Sequence, residues 1–177
     1  SVALAWKVLD ESFMEGARDV LSSLKLRAGW GITGQQDLGD DLFPYLPIYS
    51  IATSPTHMYP SVTGGNGVTV PVRPDKYNAN IKWEETTTWN AGIDYGFLNN
   101  RITGSIDFYK RETKDLLTWA TFAAGSNLSN AGNMNIGDLE NIGIEFTISA
   151  RPIVTKEFTL QSDFNVAWNK NKITRLA

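Results

Sequence analysis

The chain is predicted to be all-β: an antiparallel up-and-down meander of about six long strands that forms one stretch of a transmembrane β-barrel. Three observations predict it. Apolar and polar residues alternate with period two over segments longer than the strands of soluble proteins. Charged and amide side chains fill the second face of every long segment. The links between segments also fall into a short kind and a long kind.

The clearest segment spans about 83–97. From Trp89 onward its odd positions are Trp89, Ala91, Ile93, Tyr95 and Phe97, and its even positions are Asn90, Gly92, Asp94 and Gly96. Fifteen residues at ~3.3 Å each, tilted by about 40°, rise roughly 35–40 Å, which exceeds the ~25 Å apolar band of an outer-membrane barrel. The same alternation marks segments at about 24–33, 102–111, 141–150 and 158–169, with a shorter one at 2–8. A soluble sandwich would turn its apolar face to a second sheet and stop each strand sooner. Here the other face is polar throughout, as a wet lumen requires.

The residues expected to face lipid are Trp30, Trp89, Ile93, Tyr95, Phe97, Ile106, Phe108, Ile144, Phe146, Phe164 and Trp168. Aromatics near the strand ends would form interfacial girdles rather than ligand platforms.

The links sort by side. Those at about 98–101 and 151–157 are short, and Asn99-Asn100 suits the positive φ of a tight turn. The link at about 9–22 has room for one or two helical turns, with Asp10 as cap and Phe13, Ala17, Val20 and Leu21 on one face. The links at about 34–80 and 112–140 are long and rich in Gly, Asn and Ser or Pro. In a meander, alternate links share a side. The three shorter links are therefore expected to be periplasmic and the two long ones extracellular.

Composition excludes several classes of function. There are 177 residues, a net charge of -3 with both signs scattered, and no cysteine. No clustered Lys and Arg offer a nucleic-acid surface or a polybasic membrane tract. Disulfides, Cys-ligated metals and thiol catalysis are ruled out. The opening, Ser1 to Trp6, is not a signal peptide, and no apolar run approaches the roughly 20 residues of a spanning helix. The mean hydropathy of -0.23 is compatible with a barrel, because lumen-facing residues offset lipid-facing ones.

Candidate chemistry is sparse. His57 is the only histidine and has no partners spaced for zinc. Asp37, Asp40 and Asp41 could offer carboxylates to Ca²⁺, but their spacing is not that of an EF-hand loop, and a solvated acidic loop is expected. Glu84, Glu85 and Asp107 lack the burial that acid–base catalysis needs. Thr63 to Gly67 is glycine-rich without the Lys-Ser/Thr of a phosphate loop. No enzyme activity, cofactor or metal is expected. The candidates for contact with cargo or a partner lie in the long links: Tyr45, Tyr49, His57, Tyr59, Trp119 and Phe122.

A family resemblance runs through most of the chain. Leu24-Lys-Leu-Arg-Ala-Gly-Trp-Gly-Ile-Thr-Gly34 resembles a signature of SusC/RagA-type TonB-linked outer-membrane transporters. Lys82-Trp-Glu-Glu-Thr-Thr-Thr-Trp-Asn-Ala-Gly-Ile-Asp94 with Asn99-Asn-Arg-Ile102, and Phe108-Tyr-Lys-Arg-Glu-Thr-Lys-Asp-Leu-Leu117, resemble two more. Asn130-Ala-Gly-Asn-Met134 with Glu140-Asn-Ile-Gly-Ile-Glu145 resembles a fourth, and the opening Ser1 to Trp6 with Asp10 to Met14 is similar to the stretch preceding the first. Trp30 stands where that family more often has Tyr, and Asn135 to Leu139 interrupts the last motif. The loop around 38–74 is not covered.

The resemblance implies a barrel of about 22 strands in the outer membrane of a Gram-negative bacterium. It implies an N-terminal plug and TonB box outside this chain, energy from TonB, and a SusD-like lid lipoprotein on the extracellular face. The implied cargo is an oligosaccharide or a peptide. A soluble carbohydrate-binding β-sandwich and a passive or adhesive barrel are the rival readings.

Overall fold

The computed structural model describes residues 1–35, 43–51, 59–60, 68–69, 72–127 and 129–176, with backbone only at 59–60, 68–69 and 73–74. Its strands are β1 (Val2–Lys7), β2 (Leu21–Gln35), β3 (Tyr49–Ile51), β4 (Tyr59–Pro60), β5 (Val68–Thr69), β6 (Val72–Pro74), β7 (Glu84–Phe97), β8 (Ile102–Lys114), β9 (Leu117–Thr121), β10 (Ala131–Asn135), β11 (Gly137–Val154) and β12 (Thr159–Leu176). Contacts divide the chain into a sheet unit (Ser1–Gly34, Glu85–Lys114, Gly137–Ala177) and a loop unit (Gln35–Glu84, Asp115–Ile136).

The sheet unit is one six-stranded sheet in the order β1-β2-β7-β8-β11-β12, a meander with antiparallel neighbours. Its register puts like with like. Ala91 faces Phe108, which faces Ile144, which faces Trp168; one row on, Ile93, Ile106, Phe146 and Val166 line up. On the opposite face Asn90, Tyr109, Gly143 and Asn169 form a row. A slip of one residue in any pair would exchange the faces, so the alternation holds the register.

The long strands outrun their expected bounds. The segment expected at 24–33 runs Leu21–Gln35, and those expected at 141–150 and 158–169 are 18 residues each. Between β11 and β12 the register shifts at Asp138/Leu139 and at Ala150/Ile153. The first shift falls on the stretch that interrupts the sequence motif. The residue without a partner there is Thr174 of β12, and the ladder continues past this bulge.

The β7–β8 turn holds Leu98, Asn99 and Asn100 at φ 53°, 56° and 58°. Asn tolerates this left-handed region well. Leu98 joins it too; its N–H donates to the Val20 carbonyl at 3.1 Å and its carbonyl accepts from Arg101 at 3.2 Å. Arg101 and Arg151 then lace the turn to β11. The Arg151 N–H donates to the Arg101 carbonyl (2.7 Å), Arg101 Nη2 to the Pro152 carbonyl (2.7 Å), and Arg151 Nη2 to the Asn100 carbonyl (2.9 Å).

Two expectations need correction. The link after β1 holds two 3-10 helices, Val8–Asp10 and Ser12–Ala17; Asp10 ends the first instead of capping one. The second starts after Glu11 without a side-chain cap, and Leu21 already belongs to β2. Phe13 and Val20 remain exposed, so no shared apolar face is buried. Arg18 holds the link instead, donating to the carbonyls of Leu9 and Asp10 at 3.1 Å. The link expected as loop over 112–140 is also more ordered than its composition suggested, because β9 and β10 pair within it as a hairpin.

Among the described residues Val8 and Pro44 are the buried apolar side chains, while Ile93 is 40 %, Ile144 45 % and Trp168 58 % exposed. Open edges at β1 and β12 add unpaired backbone groups. The isolated 177-residue chain should therefore aggregate in water and need detergent. Sedimentation and light scattering check this; a monodisperse soluble monomer with a cooperative melt would overturn the two-faced reading.

Candidate functional site

The sheet carries two surfaces of opposite character. On the apolar one, the Trp30 and Trp89 rings meet at 5.8 Å, and the Tyr95 and Phe97 rings at 5.7 Å. Ala28 and Ala91 floor a trough of about 660 Å³ walled by Leu4, Trp6, Ile106 and Phe108. Tyr95 lies across Gly104, where a Cβ would meet its ring, and its hydroxyl donates to the Thr147 carbonyl at 3.3 Å. An aromatic covering a strand glycine restores the packing that glycine lacks. Trp30, Trp89, Ile93, Tyr95, Phe97, Ile106, Phe108, Ile144, Phe146, Phe164 and Trp168 all belong to this face by register. Beyond Trp89 the same face turns charged, where Lys110 pairs with Glu112 (2.7 Å) and Glu140 (3.1 Å).

On the polar surface Arg27 joins three strands. Its Nε donates to Asp94 Oδ2 at 2.9 Å, and its Nη2 to Asp94 Oδ1 and Asp107 Oδ1, both at 2.7 Å. Lys25 approaches Asp94 at 3.8 Å. The guanidinium reaches β8 across Gly92, where an added Cβ would collide with both Arg27 and Asp107. Glycine at 92 is thus the condition for the bridge. A bidentate, charge-assisted contact of this kind is stronger and more directional than a lone surface pair. The alternation placed Asp94 on the polar face but gave no sign of this three-strand cluster.

The loop unit is organised by asparagine. Asn135 accepts the Lys82 N–H at 2.9 Å and donates to the Lys82 carbonyl at 2.8 Å and the Asp115 carbonyl at 2.7 Å. Its amide thereby acts as one more peptide unit against the 82 position. Asn78 donates to the Asn133 carbonyl at 3.2 Å, and Asn127 to the Tyr77 carbonyl at 2.6 Å. Phe122 lies over Gly132 beside Lys76, which marks it as packing. Trp119, on β9 and largely exposed, has Lys76 Nζ at 4.3 Å from its ring centroid. Tyr45 is exposed and stands edge-on to Phe43 at 6.4 Å; Tyr49 is exposed on β3. The Tyr59 backbone pairs in β4, while its side chain, His57, Asp37, Asp40 and Asp41 lie outside the described residues. Tyr45, Tyr49 and Trp119 are thus exposed, whereas Phe122 is half-buried against Gly132.

Among the described residues no group of three His, Asp or Glu is placed to hold a metal ion. No helix is long and apolar enough to cross a membrane, which says nothing of a barrel.

Residues 1–176 match the family model described as "TonB dependent receptor-like, beta-barrel". The chain is 51% identical to the TonB-dependent receptor SusC of Bacteroides thetaiotaomicron, over 99% of this chain and 17% of that protein. It is 36% identical to the TonB-dependent receptor P39 of Formosa agariphila, over all of this chain and 16% of that one. Its fold is similar to a chain of the RagAB peptide importer in the closed-closed state, with a TM-score of 0.75 and 21% identity over 98% of this chain and 18% of that one. The chain therefore spans about a sixth of the length of the relatives it matches. With its six-strand meander, its two-faced register and its matched motifs, it belongs to the TonB-dependent receptor β-barrel family and is a stretch of a SusC/RagA-type barrel.

Proposed function

We propose that this chain forms part of the wall of an outer-membrane active transporter that imports oligosaccharides or peptides with energy supplied through TonB. The observation that carries the reading is the segregation of the sheet's two faces over strands of 13 to 18 residues. One face offers hydrocarbon-compatible side chains in rows; the other holds an ion-paired, hydrated surface fit for a lumen. The wall does no covalent chemistry. The relatives support the energised mode, and RagAB is named a peptide importer.

In this reading the loop unit lies outside the cell. Both long links leave and re-enter at the same end of the sheet, between β2 and β7 and between β8 and β11. The turns after β1, β7 and β11 then face the periplasm. Exposed Tyr45, Tyr49 and Trp119, together with His57 and Tyr59, are proposed to meet cargo or a SusD-like lid lipoprotein. Aromatic side chains offer large contact area at low entropic cost. A TonB box and plug upstream of this chain would separate an energised importer from a passive or adhesive barrel.

The face assignment is tested by charge. Within the full-length transporter, Ile93→Arg or Ile144→Arg should cost about 2–4 kcal/mol near the bilayer midplane and block assembly. Asn90→Arg, on the lumen face, should assemble far better. Heat-modifiable mobility of membrane fractions reads the difference, and equal behaviour of all three variants would refute the assignment.

The loop assignment is tested by deletion. Removing about Leu42 to Val72 from the full-length protein should leave assembly intact while lowering uptake or co-purification of the lid lipoprotein. If uptake and co-purification are both unchanged, the loop has no such role.

A further inference from the structure

The outward face of the sheet is unevenly filled. In one row Leu4 on β1 faces Ala28 on β2, and Ala91 on β7 faces Phe108 on β8. Two bulky side chains therefore flank two methyl groups, and the trough between them, walled further by Trp6 and Ile106, holds about 660 Å³. A second hollow of about 360 Å³ shares Leu4, Ala28, Ala91 and Phe108 with it and reaches Trp30 and Trp89. The two form one furrow along β2 from Leu26 to Trp30, roughly 13 Å at ~3.3 Å per residue.

The ends of the furrow differ in chemistry. At the Leu26 end, Trp6 donates its indole N–H to Glu11 Oε1 at 2.9 Å. At the other end the tilted Trp30–Trp89 pair is exposed, and among the described residues neither indole N–H has an acceptor. Indole donors at a water–lipid boundary are ordinarily met by headgroup oxygens. Opposite Trp89, on β8, stands Lys110, with Glu112 at 2.7 Å and Glu140 at 3.1 Å. That end therefore offers two indole donors beside an ammonium held between two carboxylates, a patch of mixed sign.

We propose that the furrow binds one membrane lipid with a phosphoethanolamine headgroup, its acyl chain lying over Ala28 and Ala91. With the membrane-spanning reading above as its basis, the site adds a specific lipid to a wall otherwise in contact with bulk hydrocarbon. At about 30 Å³ for a group the size of water, the larger hollow admits roughly twenty methylenes, the volume of one long acyl chain. A chain there touches both walls and gains dispersion contacts that a flat face does not give. The headgroup matches the mixed signs. Its ammonium meets Glu112 and Glu140, and its phosphate oxygens accept from Trp30, Trp89 and Lys110. A polyanionic headgroup would face the two carboxylates without a cation to offer them. A second copy of the chain fits less well. In a two-fold pair the patch meets itself, which brings Glu112 and Glu140 toward their own copies and leaves the indole N–H groups against apolar side chains.

The test uses the full-length transporter purified in a delipidating detergent. Native mass spectrometry counts retained lipid as phosphatidylethanolamine, phosphatidylglycerol or lipid A is added back. The wild type should hold one phosphatidylethanolamine at least tenfold more tightly than either other lipid. A28F/A91F, which fills the furrow with apolar rings, should lose at least tenfold in affinity with unchanged heat-modifiable mobility. Val166→Phe, on the same face two strands beyond the furrow, should bind as wild type. W30F/W89F keeps both rings, removes both N–H donors and should weaken binding severalfold. If A28F/A91F does not assemble, W30F/W89F decides. Equal binding of the three lipids, or unchanged binding in either assembled double variant, would overturn the site. So would a preference for lipid A, or a dimer, read by light scattering, that the filled furrow abolishes while lipid stays bound. A wild type without a heat-modifiable band in the membrane fraction would instead refute the membrane-spanning reading.

Discussion

The structure depends on one constraint: a strand crossing hydrocarbon must satisfy its backbone N–H and C=O groups on its neighbours, because the surroundings offer none. From this follow the unbroken length of β7, β8, β11 and β12, the short links at one end, and the fixed pairing of each strand. Register then becomes the only freedom left. It is removed by period two, since a slip of one residue would turn Asp94 and Arg27 toward lipid and Ile93 toward water. The Arg27 bridge adds a lateral restraint in the same sense. Its hydrogen bonds to Asp94 and Asp107 can form only in the observed alignment of β2, β7 and β8.

The membrane-spanning parts were legible in the sequence for the same reason. Between Trp89 and Phe97, or Ile142 and Ala150, every position is chosen by the environment it faces, and the alternation shows through. Past the apolar band that selection ends. Residues 170–176 and 137–140 mix Lys, Glu, Asn and Ile without a clear period, yet the ladder continues through them because each partner strand continues too. Sequence reading stopped where the membrane stops, and hydrogen bonding did not. The bulge opposite Asp138/Leu139 shows the same limit, since its extra residue, Thr174, lies in the stretch without a clear period.

The loop unit and the ion cluster were opaque for a different reason. Arg27 and Asp94 are 67 positions apart, and Arg27 and Asp107 are 80 apart; nothing in either neighbourhood names the other. Asn135 is similar: its value lies in matching both backbone groups of Lys82, 53 residues away. An asparagine-rich stretch reads as loop chemistry because asparagine competes for backbone groups. Here that competition builds structure instead. The aromatics Trp119 and Phe122 looked equivalent in sequence, and the hairpin separates them by turning one outward and laying the other on Gly132.

The polar groups of the wall differ in how far they are satisfied within it. Charges that hold strands together are mutually satisfied, so they offer little to a passing solute; a solute would have to break a bidentate guanidinium–carboxylate contact to use them. Beside them, Asn141 Oδ1 is buried without a hydrogen-bond partner among the described residues. Neutral groups can be left open to water at small cost, whereas unpaired charges on the same wall would attract counter-ions and hold charged solutes. On one face of a single sheet, Arg27 thus ties three strands by ion pairs, while Tyr109 is held by Gly143 and by the Arg111 guanidinium beside its ring.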